Sequence, residues 1–172
     1  MFKFIKKLLH RPTLEELANR PNSGIIIDKD FGMISYEPPN KNWDEGYWQM
    51  FNSWNFPKYN ADITCSAIPG DLNGPFEESR YFLLSKKDNL NTLWEFCNKA
   101  LNEIKQDWYP DNKHQNIQDI YYLSSLGMGK ANTNNWEVSF EAKESYRWTF
   151  VTFEFKNNTI EPLADSQRQP TI

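Results

Sequence analysis

The sequence predicts an α+β fold: a mostly antiparallel, twisted sheet with two central helices packed on it and short N-terminal helices. Three observations carry this. Strand-like alternation dominates both ends of the 24–165 stretch, helical periodicity fills its middle, and Gly, Pro and Asn clusters separate the segments. Strands, then helices, then strands is the order of an α+β domain rather than of repeated βαβ units. With 172 residues, the chain is expected to form one domain over 1–172 that buries roughly 70% of its unfolded surface. Within it, 1–21 reads as an N-terminal helical segment, 24–165 as the α+β core and 166–172 as a polar, flexible tail.

At the N-terminus, Phe2, Ile5 and Leu9 share one helical face while Lys3, Lys6 and Lys7 lie opposite, and Pro12 ends the element. A capping box from Thr13 to Glu16 then opens a two-turn helix that stops before Pro21. The β-branched run 25–27 and the strand 33–36 flank DKDFG, a hairpin turn in which Gly32 is free to take positive φ. Residues 43–56 satisfy both helical and strand spacing. Gly46 and the density of rings favour a strand, expected to pair with 61–68. The stretch PGDLNGPFEE reads as a loop entering a helix, with Asn73 or Gly74 capping, Pro75 at the first helical position and Glu77 and Glu78 at the positive end of the dipole. A second helix is expected from Asp88 to about Lys105, with Leu90, Leu93, Trp94, Cys97, Leu101 and Ile104 as its apolar stripe.

The last third reads as sheet. IYYLSSLGMG is a strand with a glycine-loosened end, and WEVSFEA turns Trp136, Val138, Phe140 and Ala142 one way and Glu137, Ser139 and Glu141 the other. YRWTFVTFEF is apolar on both faces, which predicts a central strand, and TIEPL adds a short edge strand limited by Pro162.

Composition narrows the function classes. A net charge of −4 argues against nucleic acid as partner, since phosphate binding needs a concentrated basic face. Cys65 and Cys97 belong to no CxxC pair and read as buried thiols in a reducing compartment. The two histidines, His10 and His114, have no carboxylate or cysteine at ligand spacing, so neither a metal site nor a nucleophilic triad is expected, and no cofactor motif occurs. GDLNG lacks the closing glutamate of a calcium loop, and GMGK is too short to cradle a phosphate.

Seven Trp, eight Tyr and twelve Phe make 16% of the chain, although mean hydropathy is −0.76. The aromatic band 43–56 is the candidate binding site. On one reading half its rings are core and half cover a sheet edge. On the other, Trp43, Tyr47, Trp48 and Trp54 form a patch flanked by Asp44, Glu45 and Asp71 that docks a basic protein partner. Two alternatives belong to other classes. A carbohydrate module would stack sugars on Trp43, Trp48 and Trp54 or hydrolyse them with a carboxylate pair. A peripheral membrane protein would use Phe2, Lys3, Ile5, Lys6, Lys7 and Leu9. The lysine-interrupted opening has no continuous apolar region of a secretory signal, and one short helix with three lysines anchors weakly. It is expected to pack onto the domain or onto a second copy of it.

The order of hairpin, Trp-rich strand, G-D-x-x-G-P turn, paired helices and WEVSFE…WTFVTFEFKNNTIEPL meander resembles small bacterial α+β domains of the toxin-immunity type over residues 24–165. That resemblance implies a cytoplasmic, non-enzymatic binder whose acidic patch faces a basic toxin. It transfers no binding residues, because the group has no shared interface motif to match.

Overall fold

The structure is a computed structural model that describes residues 24–41, 44–129, 131, 135–156 and 159–160. The helices expected within 1–21 and the tail at 166–172 lie outside the described residues.

The elements run β1 (Ile25–Asp28), β2 (Gly32–Glu37), β3 (Tyr47–Met50), β4 (Trp54–Phe56), a 3-10 turn (Pro57–Tyr59), β5 (Ala61–Asp71) and β6 (Gly74–Pro75). Then follow α1 (Glu77–Lys87), α2 (Leu90–Trp108), a second 3-10 turn (Pro110–Asn112), α3 (Ile117–Ile120), β7 (Tyr121–Met128), β8 (Asn135–Ala142), β9 (Phe150–Lys156) and β10 (Thr159–Ile160). The sheet order is β1-β2-β3-β5-β7-β8-β9-β10, with β4 and β6 pairing other parts of β5. Every ladder is antiparallel except β5–β7. Parallel neighbours need a long crossover, and the helices between these two strands supply it.

The hairpin forms where the sequence predicts it. Asp28 Oδ1 accepts from the amides of Asp30 at 2.8 Å and Phe31 at 3.0 Å, and Gly32 takes φ 71°. The 43–56 segment differs from the single strand expected. It divides into β3 and β4, both of which pair with β5. Asn52 and Ser53 are exposed at the break, and β3 turns its other edge to β2. The eleven-residue β5 is long enough to take both.

The PGDLNGPFEE stretch also differs. β5 continues through Asp71, whose Oδ1 accepts from Asn73 N at 2.8 Å, and the chain folds back as β6. Pro75 is therefore a strand residue, and Phe76 is the N-cap of α1. Glu77 and Glu78 do occupy the first turn.

The α2 stripe is buried over all six expected residues, and Trp136, Val138, Phe140 and Ala142 form the inner face of β8. Trp94 meets Phe140 edge-on at 4.7 Å between ring centroids, and Phe82 meets Trp136 at 5.8 Å. Both helices thus cover one face of the sheet. Arg80 in α1 locks the hairpin turn to this layer: it bonds Asp28 through both terminal nitrogens and Asp30 at 2.7 Å.

β9 corrects a further expectation. It begins only at Phe150, lies outside β8 with only β10 beyond it, and alternates buried and exposed side chains. The carbonyl of Thr149 still accepts from the Ala142 amide at 2.9 Å; before it the chain leaves the ladder, and Tyr109 Oη donates to the carbonyl of Arg147 and pairs with Thr149 Oγ1 at 2.6 Å. A high density of rings in this stretch does not entail burial on both faces, because the outward rings stay exposed. Cys65 and Cys97 are unpaired and buried, as expected; burial pushes both thiols up, Cys97 to about 12.

Candidate functional site

The face of the sheet opposite the helices is assembled by alternation. In β8 the residues facing away from Trp136, Val138 and Phe140 are Glu137, Ser139 and Glu141. Register brings Glu154 opposite Glu137, Thr152 opposite Ser139 and Phe150 opposite Glu141. On the other side, Tyr122 of β7 stands opposite Glu141 and Gly127 opposite Glu137. Thr64 of β5 lies beside Ser125 of β7, with Asp62 and Ser66 on the same side of that strand. Across the described strands β5, β7, β8 and β9, the carboxylates Asp62, Glu137, Glu141 and Glu154 thus share this face with Lys156. Among the described residues no helix lies over it.

Hydrogen bonds fix the positions of Glu137 and Glu141. Ser66 Oγ donates to Glu137 Oε1 at 3.1 Å. Tyr122 Oη donates to one oxygen of Glu141 at 2.6 Å, and Trp148 Nε1 donates to the other at 2.8 Å. Ser139 and Thr152 pair through their hydroxyls at 3.0 Å. Trp148 is 48% and Phe150 43% exposed, and their rings stack with centroids 6.4 Å apart. The face is therefore a row of positioned acids ending in an exposed aromatic pair. Burial first, then the bond to Glu141 and the charges of Glu141, Asp62 and Glu144, push the Tyr122 phenol well above its ordinary value. Burial and the three carboxylates thus act on this phenol in the same direction.

Two backbone details serve this geometry. A methyl group on residue 127 would lie 2.7 Å from Ser66 Oγ and 2.8 Å from Glu137 Oε1, so glycine leaves room for that bond. The same Ser66 hydroxyl proton lies within reach of the carbonyl of Leu126 at 3.2 Å, so carbonyl and carboxylate share one donor beside the parallel pair.

The residues singled out from the sequence are placed differently. Trp48 is 1% exposed, and its Nε1 donates to the carbonyl of Asp71 at 3.0 Å, so it is a core side chain and not a docking or sugar-stacking ring. Trp54 is half-buried, stacked on Phe31 at 5.5 Å, and donates to the carbonyl of Asp30 at 3.2 Å. Tyr47 is half-buried, while Asp44 and Asp71 are exposed. Glu45 accepts from the Ala131 amide at 3.0 Å. Trp43 and the N-terminal residues Phe2, Lys3, Ile5, Lys6, Lys7 and Leu9 lie outside the described residues. The outward acids of β8 were legible in the alternation of WEVSFEA. That Asp62, Tyr122, Glu154 and Trp148 join them depends on strand order, which no local pattern encodes.

Among the described residues no group of three or more His, Cys, Asp or Glu is placed to hold a metal ion. Among them too, no helix is long and apolar enough to cross a membrane. Comparison of the chain with protein-family models, curated proteins and solved structures finds no match.

Proposed function

We propose that this protein is a non-enzymatic protein-binding domain that holds a basic partner on the outer face of its sheet, in the manner of an immunity protein neutralising a cationic toxin in the cytoplasm. One observation carries the reading: Asp62, Glu137, Glu141 and Glu154 stand on one sheet face beside the exposed Trp148–Phe150 pair. Aromatic anchors with charged neighbours are the composition of binding hot spots. Positioned carboxylates attract a basic surface and exclude an acidic one. Hydrogen bonds from Ser66, Tyr122 and Trp148 hold Glu137 and Glu141 before the partner arrives, which lowers the ordering cost of binding.

The test is co-expression with the product of the adjacent gene, followed by titration calorimetry of the purified pair. The reading expects a complex whose affinity falls with added salt, and a loss of about 100-fold in the Glu137→Lys, Glu141→Lys double variant, near 1.4 kcal/mol per charge reversed. An adjacent product that is acidic, or that binds the double variant as tightly as the wild type, overturns the proposal.

A further inference from the structure

A second site lies away from that sheet face, where one side of α2, from Asn91 to Lys105, meets the segment leading into α3. The two enclose a cleft of about 560 Å³, within the size range of small-molecule sites. Lys105 lines it and is 5% exposed. Its Nζ donates to the carbonyl of Gln115 at 2.7 Å, and among the described residues no carboxylate pairs with it. A buried ammonium is stable only with compensation. The C-terminal end of α2 supplies some, but a helix dipole is worth typically about 0.3–1 kcal/mol, against a cost of several kcal/mol for burying an ion. An ammonium has three protons to donate, and one carbonyl takes one of them.

The other lining groups fit a polar ligand. Asn98, Asn102 and Gln118 offer amide donors and acceptors, and Lys113 and His114 stand where this cleft adjoins a second one of about 430 Å³. Glu95 and Asp119 also line the cleft. The Asp119 carboxylate accepts from the Asn116 amide at 3.1 Å. The two lysines and two carboxylates of the lining cancel formally, so Glu95 and Asp119 oppose a monoanion seated on Lys105 less than they oppose a phosphate dianion. We propose that this cleft binds a small organic monoanion: a carboxylate on Lys105, with neighbouring hydroxyl or amide groups on the Asn and Gln side chains. The chemistry is shared by a hydroxylated acid and by a peptide C-terminus.

Nitrogen-15 NMR titration of the full chain separates these sources. The probes are D-gluconate, acetyl-alanyl-alanine, the C-terminal amide of that dipeptide, and inorganic phosphate. At least one acid is expected to shift the amides of residues 94–105 and 113–119 and to saturate with Kd below about 1 mM. The amide and phosphate leave those signals in place. Gluconate alone binding assigns a hydroxylated acid, and the dipeptide acid alone assigns a chain terminus. Lys105→Met keeps the apolar stem and is expected to weaken binding at least tenfold. Should that variant not fold, the Lys105 side-chain resonance of the wild type gives the same answer by moving with the bound acid. The proposal is overturned if neither acid saturates by about 10 mM, if phosphate or the amide produces the same shifts, or if Lys105→Met binds like the wild type.

Discussion

Arg80 brings its guanidinium from α1 to the turn of the β1–β2 hairpin, where both it and Asp28 are almost wholly buried. A buried pair is a modest source of stability while intact, but removing one partner leaves the other charge stranded. Arg80→Met is therefore expected to cost about 3–5 kcal/mol in urea unfolding. The pair also sets an acid limit. Burial opposes the Asp28 charge, but hydrogen bonds from Arg80 and from the Asp30 and Phe31 amides outweigh it and hold the carboxyl below its ordinary 3.8. The unfolded chain consequently binds this proton more tightly than the fold does. The stabilisation is complete above the ordinary value and disappears as pH falls through the lower, folded one. Measuring stability between pH 5 and pH 2 should show a fall that Asp28→Asn flattens; an unchanged slope would mean that other acids control it. At the sheet face, Gly127→Ala is expected to break the Ser66–Glu137 bond, costing about 1 kcal/mol and lowering Tm by about 2–4 °C. Because the clash involves side-chain atoms only, the fold should survive with the carboxylate displaced.

In helix α2 periodicity and burial agree over the whole apolar stripe, with Lys105 the one charged residue buried beside it. Leu101 stands in the middle of its stripe and is fully buried, so Leu101→Ala should cost about 2–5 kcal/mol through lost transfer energy and the cavity left behind. Urea unfolding with an unchanged m-value checks that the loss is one of packing and not of cooperativity. The strands were less transparent. Trp48, Trp54 and Phe56 read as one aromatic strand, yet they divide between β3 and β4 because β5 offers pairing at both ends. In β9 the chain leaves the ladder before Phe150, and Trp148 folds onto Glu141. Trp148→Ala removes an exposed ring and one hydrogen bond. It should change stability by no more than about 1 kcal/mol while weakening partner binding by more than 2 kcal/mol if Trp148 is a hot spot. Equal losses in both measurements would make it merely structural.

The layer arrangement makes the two thiols reporters of whole-molecule opening. Cys65 on β5 and Cys97 on α2 are buried in one hydrophobic core beneath the helices. Burial keeps them protonated, and the thiolate is the reactive form. Alkylation by iodoacetamide at pH 8 is expected to be negligible in the native state and to rise in step with global unfolding in urea. Modification of either thiol well before the main transition would reveal local opening between helices and sheet. The same layering leaves the other sheet face to its acids, and the overall charge of −4 has the same sign. Long-range attraction to a basic partner should thus appear chiefly in the association rate and weaken with ionic strength.

Local periodicity encodes individual elements of this fold. Alternation marked Trp136 to Ala142 as a half-buried strand, the stripe from Leu90 to Ile104 marked a helix, and DKDFG marked the hairpin turn. Each rests on which neighbours along the chain share a face. The tertiary structure alone decided which strands adjoin: the parallel β5–β7 pair, β3 and β4 sharing one partner, and β9 lying outside β8. These come from competition among pairings distant in sequence, where ring content is a poor guide because Trp48 and Trp148 have the same chemistry and opposite surroundings. The candidate surface belongs to the second category. Glu137 and Glu141 were visible as outward acids, but they share a face with Asp62, Glu154 and Trp148 only because the sheet order sets β7 and β9 on either side of β8 and β5 beyond β7.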